Sequence, residues 1–135
     1  MREIPTRAFS YPITVADADI DELGHVNNVV YLRWVQDAAA AHWDAVATAQ
    51  VKSIHRWVVL RHEIDYKAPA FGNEQLTAHT WVENYNGARS QRRVLIFRDD
   101  TVLAAALTTW CLLDAGTMRP KRVQSDIQQL FLPSD

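Results

Sequence analysis

At 135 residues, with 48% apolar and 22% charged side chains, the chain has room for one globular domain with a real core and little for a second unit. A formal net charge of −2 and a pI of about 6.2 offer no basic stripe, so no nucleic-acid partner is expected. Cys111 is the only cysteine, which excludes an intrachain disulfide, and neither the opening MREIPTRAFSYP nor any later run is apolar enough for a signal h-region or a membrane span, so no membrane partner and a cytoplasmic location are expected.

In chain order, AFSYPITV reads as a short strand, with Pro12 suited to an edge or a bulge. From Asn28 to about Val46 the pattern is helical: Tyr31, Trp34, Val35, Ala38, Ala41, His42 and Ala45 recur at three- and four-residue steps. The run Ala38 to Ala41 lets a wrapping sheet approach that helix closely. RWVVLRHEIDYK (56–67) alternates as a strand does and stops before Pro69 and Gly72; EQLTAHTWVEN (74–84) follows. Asn86-Gly87 predicts a type I′ hairpin, whose two central residues both need positive φ. RSQRRVLIFR (89–98), an Asp99-Asp100 turn and the apolar TVLAAALTTWCLLD (101–114) complete the set, the last as a central or interface strand. One strand, one long helix and then four strands in an antiparallel meander predict an α+β domain over residues 1–135. A single helix lies against a curved antiparallel sheet of about five strands.

The stretch DADIDELGHVNNVVYLRW (17–34) concentrates polar chemistry just before the helix. Asp17, Asp19 and Asp21 imitate the start of a calcium loop, but that loop requires Gly at its sixth position and Glu at its twelfth. Glu22 and Asn28 stand there instead, so no metal site is expected. Asn27 or Asn28 suits a helix cap, whose side chain satisfies an otherwise unpaired amide. A catalytic arrangement is also available. A helix N-terminus offers free N–H groups and partial positive charge to a carbonyl oxygen gaining negative charge. A carboxylate in the feeding loop can then act as general base or nucleophile, with Gly24 allowing the tight turn between the two.

DIDELGHVNNVVYLRW resembles the acyl-CoA thioesterases of the hotdog fold, the 4-hydroxybenzoyl-CoA thioesterase-like superfamily. Asp21, His25, Val26, Asn27, Asn28 and Tyr31 match that pattern, and the similarity continues through HEIDYKAPAFGNEQL to about residue 115. The resemblance implies a hotdog fold and hydrolysis of an acyl- or aryl-CoA to carboxylate and free CoA. It implies Asp21 as the catalytic carboxylate, the backbone N–H of Asn28 as the group polarising the carbonyl, and His25 and Asn27 as loop-holding residues. It further implies subunits that join their sheets into a dimer or tetramer. No cofactor is expected, because CoA is part of the substrate; acyl carrier protein is an alternative carrier. Arg89, Arg92, Arg93, Arg119, Lys121 and Arg122 are candidate partners for CoA phosphates, and Ser90 is a candidate for positioning water. Tyr31 is a further substrate-binding candidate. The tryptophans read first as core, with Trp34, Trp57 and Trp81 also able to line an acyl site beside Tyr66. Two alternatives stand beside hydrolysis: a hotdog protein that binds acyl thioesters without turnover, and a hotdog dehydratase or hydratase, for which the helix supplies Asp37, Asp44 and His42.

Overall fold

The computed structural model describes residues 4–132. Five strands and three helices follow one another: β1 (Phe9–Thr14), α1 (Asn28–Val46), α2 (Ala49–Ile54), β2 (His55–Tyr66), β3 (Gln75–Asn86), β4 (Arg89–Arg98), β5 (Thr101–Asp114) and α3 (Ser125–Leu130). A short 3₁₀ turn, Asp17–Asp19, lies between β1 and α1. The strands form one antiparallel sheet in the order β1-β3-β4-β5-β2. This is the hotdog arrangement, with α1 laid in the concave face.

The predicted meander holds only for β3, β4 and β5. β2 does not pair with β3; it crosses to the far edge and pairs with β5 from His55↔Asp114 to Tyr66↔Ala104. The apolar β5 is therefore internal, and the two edges of the sheet belong to β1 and β2. The alternating burial of β2 explains why local pattern could not place it, since one face meets the core in either position.

One face of β4 and β5 carries Val94, Ile96, Ala104 and Ala106 into a core with Val30, Tyr31, Trp34, Val35 and Ala38 of α1. Of the small-residue run Ala38 to Ala41, Ala38 is fully buried and Ala39 nearly so, while Ala40 is exposed and Ala41 half-buried. The opposite face buries Trp81, Leu95 and Phe97. A second concave cluster gathers Val82, Leu112, Val123, Ile127 and Phe131 around the C-terminal half of α1, so α3 closes that end of the sheet.

The β3–β4 hairpin differs from expectation by one residue. Asn86 pairs with Arg89, leaving Gly87-Ala88 as the two-residue turn. Gly87 takes φ +62° while Asn86 and Ala88 stay negative. A glycine at positive φ in the first central position is the type II′ pattern, not I′. Asp99, at φ +51°, makes the expected second turn.

Candidate active site

Backbone hydrogen bonds fold the loop that feeds α1. Ile20 bridges to Val26, the Asp21 N–H donates to the His25 carbonyl at 3.0 Å, and the Gly24 N–H donates back to the Asp21 carbonyl at 3.0 Å. Gly24 sits at φ +87° with open space where a Cβ would lie, so conformation and not crowding demands glycine there. Asp19 is the buried anchor. Its carboxylate accepts from the Ala16 N–H and from Arg33 Nη2, both at 2.9 Å, and its carbonyl accepts the Asn27 N–H at 3.0 Å. Burial alone would raise its pKa. The hydrogen bond from Arg33, the Ala16 amide and the guanidinium charge outweigh burial and hold it below the ordinary carboxylate value. Asp19 thus fastens the loop to the second turn of α1.

Asn27 is the N-cap of α1, its side chain accepting from the Val29 N–H at 3.1 Å, while its carbonyl accepts from Val30. The next amide, Asn28 N–H, meets no acceptor among the described residues. Asn28 lines a cleft of about 220 Å³ together with His25, Tyr31, Tyr66, Lys67 and Pro69, among others. Tyr31 is 2% exposed, and burial raises its phenol pKa; its ring meets Trp34 and Tyr66 edge-on at 5.1 and 5.4 Å. The Tyr66 hydroxyl donates to the Asn28 carbonyl at 3.3 Å. His25 is half-buried, and its ring makes no hydrogen bond to the described residues; its carbonyl, not its imidazole, holds the loop.

Asp21 is half-buried and lies outside the lining of that cleft. One oxygen, Oδ1, accepts from the Leu23 N–H at 2.9 Å, and Oδ2 has no partner among the described residues. The fold therefore brings Asn28, His25 and Tyr31 into one cleft with Asp21 on the loop beside it.

Ser90 and Arg92 occupy a different place. Both are buried, at 4% and 5% exposure, in a cavity of about 470 Å³ beside the C-terminal half of α1. Arg92 is therefore not a surface cation. Arg89 and Arg122 are exposed and line neither cavity. Trp34 and Trp81 are core, whereas Trp43, Trp57 and Trp110 wall the larger cavity with Phe131. Lys67, which lines the cleft at Asn28, and Gln36, which lines the larger cavity, were not among the candidates read from the sequence. Lys67 follows a strand end before Pro69 and looks like any surface lysine, and Gln36 carries no charge to mark it.

His42 is 3% exposed, and Arg92 Nη1 donates to its Nδ1 at 2.9 Å. Burial, helped by the Arg92 charge, lowers its pKa to about 3. A neutral ring whose acceptor nitrogen is already occupied is a poor general base, and Asp44 faces solvent in a pair with Lys52. Neither supports dehydratase chemistry. Among the described residues no group of three or more His, Cys, Asp or Glu is arranged to hold a metal ion, and no helix is long and apolar enough to cross a membrane.

A family model described as the thioesterase-like superfamily matches residues 15–131. The long-chain acyl-CoA thioesterase FadM of Escherichia coli is 25% identical over 124 residues, covering 87% of this chain and 92% of that one. Among solved structures, a 1,4-dihydroxy-2-naphthoyl-CoA thioesterase from Synechocystis superposes with a TM-score of 0.79 at 18% identity, over 92% of this chain and 95% of that one. A thioesterase from Thermus thermophilus, solved with coenzyme A and zinc, gives 0.81 at 20% identity over 93% and 91%. At these identities the structural likeness speaks for the shared fold.

Proposed function

The chain belongs to the thioesterase-like superfamily and is a thioester hydrolase; we propose that its substrates are acyl-CoA thioesters, cleaved at the N-terminus of α1 by Asp21. The observation that carries this reading is the Asn28 N–H, unpartnered among the described residues and set at the positive end of a 19-residue helix, in a residue that lines a cleft. A thioester carbonyl placed there gains a donor that strengthens as its oxygen becomes anionic.

Asp21 supplies the attack in one of two ways. As a general base it takes a proton from water while the new C–O bond forms. As a nucleophile it forms an anhydride that water then opens. Either way the C–S bond breaks and the thiol leaves with a proton, giving carboxylate and CoA. The reading needs no cofactor. Its support for CoA is the FadM relative and the neighbour solved with coenzyme A. Thioesters of acyl carrier protein are the other carrier to include in a panel.

A second copy of the chain belongs to the proposal. Asp21 lies outside the lining of the smaller cleft, and the edge strand β2 exposes Val58 and Leu60 at 36% and 49%. A paired sheet would cover that edge and wall the site.

The test is thiol release from acyl-CoAs of short, medium and long chain, plus aryl thioesters, with Asp21→Asn, Asp17→Asn, Asp19→Asn and His25→Ala beside the wild type. Asn keeps the size of Asp21 but cannot accept a proton at neutral pH, so kcat should fall by ~10²–10⁴-fold with KM little changed. His25→Ala and Asp17→Asn should cost less. A folded Asp21→Asn protein with near wild-type turnover would remove Asp21 from the mechanism.

A further inference from the structure

The larger cavity poses a problem in electrostatics that hydrolysis at the other end of α1 does not address. Its floor holds Arg92, 5% exposed, with no carboxylate partner among the described residues. Nη1 donates to His42 Nδ1 at 2.9 Å and to Thr80 Oγ1 at 3.1 Å, while Nε and Nη2 meet no acceptor there. Both partners are neutral. The Phe131 ring, 5.3 Å from the guanidinium carbon, offsets part of the lost hydration but supplies no anion. A desolvated cation of this kind is costly to keep unless something of opposite charge visits it.

The rest of the lining agrees. Asp37 is its only carboxylate, set against Lys52, Arg56 and Arg92. Lys52 is already paired with Asp44 at 3.2 Å, but Arg56 Nη1 spends its donors on two backbone carbonyls and keeps its charge unbalanced. The walls are aromatic, and Trp110 among them has a buried Nε1 without an acceptor among the described residues. A cavity of about 470 Å³ suits a small organic ligand. A bare phosphate would leave most of the aromatic surface uncovered.

We propose that this cavity binds an aryl carboxylate, its ring against Trp43, Trp57 and Trp110 and its carboxylate on the free donors of Arg92. The ligand is a free aromatic acid, such as a product of hydrolysis: Arg92 meets His42, which stands about 21 Å along α1 from Asn28, farther than an aryl group still joined to CoA there extends. The site is independent of the proposed hydrolysis.

Calorimetric titration with naphthylacetate and its uncharged analogue naphthylacetamide tests the site without turnover. The wild type should prefer the carboxylate by about tenfold or more, the range for a charge-assisted pair. In Arg92→Gln the preference should vanish while the amide still binds. Because Arg92 is buried, Trp57→Leu is the companion variant; it should weaken both ligands and leave their ratio intact. No carboxylate preference in the wild type, or a preference that survives in folded Arg92→Gln, overturns the proposal. Failure to hydrolyse any thioester would sink the hydrolytic reading and leave the calorimetry standing.

Discussion

His42 sits on α1 with its ring stacked on Phe9 at 4.9 Å and met edge-on by Phe131 at 5.1 Å. Its pKa of about 3 lies far below the ordinary 6.5, so the unfolded chain binds a proton there that the folded chain refuses. Stability from this group is therefore whole above about pH 6.5 and is lost as pH falls toward 3. Between about pH 7.5 and about pH 4.5 the loss amounts to roughly 2–3 kcal/mol. In His42→Asn the amide oxygen stands in for Nδ1 as the acceptor for Arg92 but cannot titrate. Denaturant unfolding at both pH values should show the wild type losing that amount more than the variant. Asp19 and the other carboxylates act equally in both proteins and cancel. Parallel losses would mean that His42 is not the acid-sensitive group.

At the scale of the element, α1 draws its start from Asn27 and its position from packing. The cap satisfies Val29, the residue after the amide proposed to bind the substrate oxygen. Asn27→Ala should cost about 1 kcal/mol, or roughly 3–5 °C in melting temperature. It should also lower kcat more than KM is raised, because the first turn frays where the oxyanion is to be held. A loss of stability with unchanged turnover would detach the cap from the chemistry. The β3–β4 hairpin teaches a different lesson. Asn86-Gly87 marks a turn correctly, but β3 runs to Asn86 through a bulge between Val82 and Asn84, and the extra residue moves the turn one step along.

For the whole molecule the telling feature is the outer edge of β2. Twelve residues long, it exposes Val58 and Leu60, and Tyr66 at its end reaches the cleft at 45% exposure. A long apolar edge is a template for another strand. Sedimentation at micromolar concentration should give a species of at least about twice 15.4 kDa. Leu60→Lys together with Val58→Lys should shift it toward monomer and reduce thiol release in parallel. A 15.4 kDa species with full activity would refute both the pairing and the shared site.

By itself the sequence determined the things that local chemistry dictates. The helix bounds at Asn28 and about Val46, the strands at 89–98 and 101–114, a cap at Asn27 or Asn28 and the Gly24 turn were all legible; the structure settles the cap on Asn27. Helical periodicity, alternation, Asx capping and positive φ act over a few residues and leave their mark in them. The short helices α2 and α3 were not legible, since six residues give too little period to read and packing decides them. Only the tertiary structure sent β2 to the far edge, because strand order depends on contacts between residues distant in the chain. It also separated Arg92 and Ser90 from the cleft at Asn28. From sequence, three arginines near one turn looked alike. β4 turns Arg92 toward the concave face, under α1, and Arg89 lies exposed at its start. Alternation offers two faces, but which of them the helix covers is settled by the sheet as a whole.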